Sequence, residues 1–212
     1  VTDNPADKPT EQPTWGVGPF EGDPSKHPDF EKFDSELLAE GDTRNVVDHY
    51  RYWSMEAIVA DLDSKRHGFH VAIENWQHDL NIGSIVRTAN AFLAKEVHII
   101  GNRRWNRRGA MVTDRYQHVT HHPDVESFLK HIGELPVIAI DNVPGCQKLE
   151  QYSLPKECVF LFGQEGPGLS QAALDSATAV LEISQFGSTR SINASAAAAI
   201  TMHSWVTKHV FS

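Results

Sequence analysis

Three short segments carry polar side chains that packing alone does not require. The first, Asn81-Ile-Gly-Ser-Ile-Val-Arg-Thr-Ala, sets Asn81, Arg87 and Thr88 among Ile82, Ile85, Val86, Ala89 and Phe92, which recur at helical spacing. Asn81 suits a helix N-cap, and the planar guanidinium of Arg87 suits an anion such as a nucleotide phosphate. A capped core helix with a surface arginine explains the same residues. The second segment runs from the apolar residues 159–162 into Gly163-Gln-Glu-Gly-Pro-Gly168. Its glycines permit positive φ and a close approach of backbone to ligand, and Glu165 adds a carboxylate that turn punctuation does not need. No Lys-Ser/Thr follows, so it is not a P-loop, and no G-x-G-x-x-G opens the first helix, so a dinucleotide site is poorly supported. A tight strand-to-helix turn is the competing reading. The third segment, Ser191-Ile-Asn193, leads into small residues through Ala199. Asn193 suits an N-cap, and an alanine-rich helix with a polar entry needs no further function.

The elements that must position these residues alternate. The pattern predicts strands over residues 69–74, 96–101, 136–141, 158–163 and 179–183. It predicts helices over 82–93, 125–132, 170–177 and 193–209. Short apolar strands alternating with helices imply an α/β domain with a mostly parallel sheet and helices on both faces. Ligands in such sheets bind beyond the carboxyl ends of the strands, and Asn81, Gly163 and Ile183 fall near such ends.

Ahead of this body, residues 1–28 are rich in Pro, Gly, Asp and Glu and are expected to be disordered. Residues 29–66 form a helical extension, with Phe30, Phe33 and Leu37 or Leu38 on a short helix and a second helix over 45–63. Residues 67–212 form the main domain. The net charge of −9 argues against nucleic acid only at first sight: residues 1–45 carry 11 Asp/Glu against 4 Lys/Arg, so most of the excess belongs to the tail. No apolar run is long enough to span a bilayer, and the N-terminal stretch has no apolar core of a secretory signal. Cys146 and Cys158, without a metal-ligand spacing, fit a reducing cytoplasm rather than a disulfide framework.

Together the segments read N-x-G-x-x-x-R-T-A at 81–89, F-G-x-E-G-x-G-L at 162–169 and S-[LI]-N-x-S-x-A-A at 191–198. In that order and at those separations they resemble the motifs of the SpoU (TrmH) family of SPOUT methyltransferases, over about residues 68–205. The resemblance implies methyl transfer from S-adenosylmethionine to a ribose 2′-hydroxyl of tRNA or rRNA, on a sheet whose C-terminal part threads a deep trefoil knot. By carry-over, the main chain of Gly163, Ile183 and Ile192, with Ile140, contacts the cofactor. Arg87, Asn81, Glu165, Ser191 and Asn193 form the catalytic neighbourhood. Similar proteins are homodimers with each site completed near the subunit interface. An alternative is a knotted RNA-binding or ribosome-assembly factor without catalysis; another is an α/β nucleotide enzyme using the glycine-rich turn. This chain departs from the family at Ile183-Ser184-Gln185, where Ile-Pro-Met is usual, and at Arg190, where an acidic or neutral residue is common. Its cofactor loop is thus more polar and more basic.

Arg103, Arg104, Arg107, Arg108 and Arg115 lie in one window with Trp105 and Tyr116, the densest basic cluster of the chain. Arginine and aromatic side chains together suit phosphate contact and base stacking; a solvated loop is the plain alternative. The twelve histidines complete no recognisable ligand set by spacing, and methyl transfer of this type implies no metal.

Overall fold

The computed structural model describes residues 16–76, 81–164 and 166–211. The chain divides into two compact units, with the boundary between Ile58 and Val59.

In the first unit, residues 16–28 are not the disordered stretch that their composition suggests. Val17 bridges Asp42, and Phe20 packs against Phe33 and Tyr52. Residues 1–15 lie outside the described residues. The organising group is the fully buried Asp42, whose carboxylate accepts from Arg44 Nε at 2.9 Å, Arg44 Nη2 at 2.8 Å and the Tyr52 N–H at 3.0 Å. The helix expected over 45–63 is broken for this reason. Tyr52 takes φ 64° with its N–H given to Asp42, and Phe33 pairs with Trp53 as a β-bridge. What remains is a 3₁₀ turn at Asp48–Tyr50 and helix α2 at Met55–Asp63. Helix α1, Ser35–Glu40, is capped by Asp34, which accepts from the Glu36 and Leu37 N–H groups.

The second unit is built on a parallel sheet. Its strands are β1 (Phe69–Asn75), β2 (Val97–Gly101), β3 (Val119–His122), β4 (Val137–Ile140), β5 (Gln147–Lys148), β6 (Cys158–Phe162) and β7 (Ala179–Glu182). They lie in the order β3-β2-β1-β6-β4-β7-β5, and every pairing is parallel. Strands β3 and β5 are additions to the predicted set. Side chains alternate between the faces. Phe69, Val71, Ile73, Val97, Ile99, Phe160 and Phe162 pack under helices α3 (Asn81–Ala91) and α6 (Ala194–His209). Ala72, Ile100, Ala139, Val159 and Leu161 pack under α4 (Val125–Ile132) and α5 (Gln171–Ser176). Burial on both faces explains why the central strands read as continuous apolar runs. Among the described residues, no helix is long and apolar enough to cross a membrane.

Candidate functional site

A cavity of about 640 Å³ opens beyond the carboxyl ends of β4, β6 and β7. Its apolar lining includes Ile140, Phe162, Ile183 and Ile192; its polar lining includes Asp141, Glu182, Gln185 and Ser191. A volume of this order suits a ligand of nucleoside size. Gly163, Ile183, Ile192 and Ile140, the residues expected at the cofactor, all line it, as do Ser191 and Asn193.

The glycine-rich turn forms one wall. Gln164 and Gly168 exchange backbone hydrogen bonds at 3.3 and 3.2 Å, closing a small loop. Gly168 sits at φ +72°, and a Cβ on Gly163 would stand 2.3 Å from the Gly168 carbonyl carbon, so both positions demand glycine. Two carboxylates absent from the sequence expectations hold this loop. Asp141 accepts from the Leu169 N–H at 3.0 Å. The fully buried Glu74, at the end of β1, accepts from the Ser170 N–H and hydroxyl, both at 2.7 Å, and from Trp76 Nε1 at 3.1 Å. Glu165 lies outside the described residues.

The opposite wall is the segment from Ile183 to the start of α6. Its departure from the family pattern has a local reason: the Ser184 N–H and hydroxyl donate to Glu150 at 3.0 and 3.1 Å. Proline could make neither bond. Burial disfavours ionisation of Glu150, but hydrogen bonds from its own N–H and from Ser184, together with Lys148, hold its carboxyl below the usual value. The Arg190 side chain is exposed, and its carbonyl accepts from the Asn142 amide. Gln185 brings to this lining a buried side-chain oxygen with no hydrogen-bond partner among the described residues.

Asn193 ties the wall to the first segment. Its oxygen caps α6 by accepting from the Ser195 and Ala196 N–H groups at 3.0 and 3.3 Å, and its amide nitrogen donates to Asn81 Oδ1 at 2.8 Å. Asn81, expected as a cap, is the first residue of α3 and is largely buried. Arg87 is not brought into the cavity lining. It is exposed on α3 and has no hydrogen-bond or ion-pair partner among the described residues.

The five arginines of the basic window are exposed. Their segment is fixed through backbone: Asn75 Nδ2 donates to the carbonyls of Asn102 and Arg104 at 2.7 and 2.9 Å. Gly83 on α3 packs against the turn at Arg107–Ala110 so closely that a Cβ would meet the Asn106 oxygen at 2.8 Å and Gly109 Cα at 2.9 Å. Arg107 pairs with Asp114 at 3.3 Å and lies 5.4 Å from the Trp105 ring centre. Tyr116 is buried and is not available for stacking.

A parallel α/β sheet with helices on both faces and a ligand-sized crevice beyond its strand ends defines the class of the main body. The chain belongs to the SpoU rRNA methylase family, whose pattern it matches over residues 68–203. No curated protein matches in a sequence comparison. Among solved structures, the fold is similar to the SpoU methyltransferase AviRb of Streptomyces viridochromogenes in complex with AdoMet (TM-score 0.63, 21% identity, covering 72% of this chain and 65% of that one). It is similar to a protein described for 2-OH methylation of C/U34 on tRNA (TM-score 0.62, 22% identity, 69% and 99% covered). The TrmH/SpoU tRNA modifying enzyme of A. aeolicus gives a TM-score of 0.64 at 17% identity, with 74% and 85% covered.

Proposed function

We propose that this protein transfers a methyl group from S-adenosylmethionine to a ribose 2′-hydroxyl of tRNA or rRNA. The observation that carries the reading is the Asn81–Asn193 hydrogen bond, which joins the first family segment to the third beside a cavity walled by the second and third. Cofactor fit is supported by the Gln185 oxygen, which has no partner among the described residues and can accept an N–H donor, and by Asp141, whose carboxylate favours a cationic ligand. Main-chain groups of Gly163, Ile183 and Ile192, with the side chain of Ile140, hold an adenosine ring between apolar surfaces. When bound, S-adenosylmethionine supplies an electrophilic methyl group.

The protein's own part is placement and charge stabilisation. Arg87, permanently cationic at neutral pH, is a poor base. It acts as a phosphate clamp that also stabilises charge developing on the ribose oxygen. Asn81 and Asn193 are positioning residues that fix α3 relative to the cofactor wall, Ser191 lines the same cavity, and the family pattern adds Glu165 as a catalytic candidate. Arg103, Arg104, Arg107, Arg108 and Arg115 hold the RNA backbone. The active form is a cytoplasmic homodimer, with the extension over 29–66 preceding a knotted methyltransferase domain over 67–212. Sedimentation showing a monomer at working concentration would remove the dimer from this reading.

The test is methyl transfer from labelled S-adenosylmethionine to tRNA and rRNA transcripts, read as 2′-O-methyl nucleotides, with calorimetry against S-adenosylmethionine, ATP and NAD. Binding of S-adenosylmethionine alone among the three, with ribose methylation, is the expected outcome. No S-adenosylmethionine binding defeats the proposal. Arg87→Lys keeps the charge and removes the bidentate fork; turnover near wild type in that variant overturns the clamp.

A further inference from the structure

We propose that His70, Glu96 and His98 form a binding site for a divalent transition metal of the zinc class, separate from the cavity. His70 is distant in sequence from Glu96 and His98 but adjacent in the sheet, because β1 and β2 are neighbours. His70 is the second residue of β1 and His98 the second of β2, while Glu96 sits two residues before His98 and so shares its face. All three point to the α4 side, at the end of the sheet where the strands begin and away from the cavity.

One ligand atom from each residue lies within 4.8 Å of the others. His70 Nδ1 and His98 Nε2 are 3.0 Å apart, and Glu96 Oε2 is 3.9 Å from each. The two nitrogens share a hydrogen bond, with the ring planes 7° apart, so an ion would displace the shared proton and turn both rings toward Glu96, to bond lengths of about 2.0–2.2 Å. Supporting groups orient two of the ligands. His98 Nδ1 is 3.0 Å from His122 Nε2 on β3, so with a proton on Nδ1 the Nε2 atom is an acceptor, which His70 uses and an ion would take over. The Thr120 hydroxyl, also on β3, donates to Glu96 Oε1 and leaves Oε2 for the ion. Two imidazoles and one carboxylate favour zinc, cobalt or nickel over magnesium or calcium, which demand oxygen ligands. His98 is fully buried, whereas the His70 and Glu96 side chains are 15% and 19% exposed, which gives an ion a way in. His131 Nε2 stands at the rim, 3.6 Å from Glu96 Oε2, where it or a water would complete four-coordination. A bound ion ties β1 to β2 and acts as a clamp on the sheet.

The full chain, stripped with a chelator, is titrated with Co²⁺ by visible absorption and with Zn²⁺ by calorimetry. One equivalent is expected, with a ligand-field spectrum of four-coordinate cobalt, displacement by zinc and a raised Tm. His98→Asn risks the fold, so the deciding variants are Glu96→Gln and His70→Asn. Each weakens Co²⁺ binding at least tenfold while the circular dichroism stays that of the wild type; His203→Asn, outside the cluster, leaves the affinity unchanged. Absence of both a cobalt band and zinc heat in the wild type overturns the proposal, as does unchanged affinity in Glu96→Gln and His70→Asn.

Discussion

Asn193 performs two tasks that substitution can separate. Its oxygen caps α6 through Ser195 and Ala196, and its nitrogen donates to Asn81, 112 residues earlier. Loss of an N-cap costs about 1 kcal/mol, and loss of a side-chain hydrogen bond about 1 kcal/mol more. Asn193→Ala removes both and is expected to lower stability by about 2 kcal/mol, a fall in Tm of roughly 4–8 °C for a chain of this size. Asn193→Ser keeps a capping oxygen but is too short to reach Asn81, so its loss should be about half as large. Urea denaturation of Asn193→Ala, Asn81→Ala and the double variant closes a cycle whose coupling is expected near 1 kcal/mol. Calorimetry with S-adenosylmethionine should show both single variants binding more weakly, because the cavity wall is no longer tied to α3. Equal stabilities of Asn193→Ala and Asn193→Ser would show that the cap contributes nothing. A coupling of zero would show that the hydrogen bond to Asn81 is incidental and does not tie α3 to the cavity wall.

Gly163→Ala drives a Cβ to 2.3 Å from Gly168 and 2.5 Å from the Leu169 nitrogen; it should cost about 2–3 kcal/mol and weaken S-adenosylmethionine binding more than tenfold, and unchanged binding by calorimetry would refute the loop-closure account. Asp42→Asn should destabilise by about 3 kcal/mol, as expected when one partner of a buried ion pair is removed, measured by urea unfolding. Burial opposes ionisation of Asp42, yet the hydrogen bonds from Arg44 and the Tyr52 N–H hold its carboxyl below the usual value. Its contribution is therefore complete above the unfolded carboxyl value near pH ~4 and disappears as pH falls through the folded one, and that part of the acid transition should be missing from Asp42→Asn. Replacing Arg107 and Arg108 together by alanine should weaken RNA binding and reduce the slope of log K against log salt by about 0.7–0.9 for each phosphate no longer neutralised; an unchanged slope in filter binding would remove these side chains from the RNA surface.

Strands buried on both faces announced themselves in the sequence. Residues 158–162 and 137–140 are apolar throughout because helices cover them above and below. Strand β3 did not: Val-Thr-His-His has neither an apolar run nor a clean alternation, because it lies at the sheet edge and its polar side chains serve Glu96 and His98. The break before α2 was illegible for a related reason. It depends on Asp42, whose carboxylate claims the Tyr52 N–H across ten residues, and no helical periodicity encodes that. At the site, glycines and asparagines were visible because few residue types fit their positions. Glu74, Asp141 and Glu150 were not, since an acidic residue at a strand end or in a loop looks like any other until the N–H groups that it receives are in place. The histidines follow the same pattern: no short spacing links His70 to Glu96 and His98, and the three meet only because β1 and β2 are neighbours.

The close packing of Gly83 on Gly109 separates the frame of the basic segment from its contents. Main-chain atoms, with the Asn75 amide, set where this segment stands relative to α3. The arginine side chains project from this frame into solvent, with Arg107 also pairing to Asp114. On the proposed RNA-binding role, exchange of the exposed Arg103, Arg108 or Arg115 would change the contacts made to RNA without moving the main chain that carries them. Such a division would let target preference drift through single surface substitutions while the reach of the catalyst stays constant.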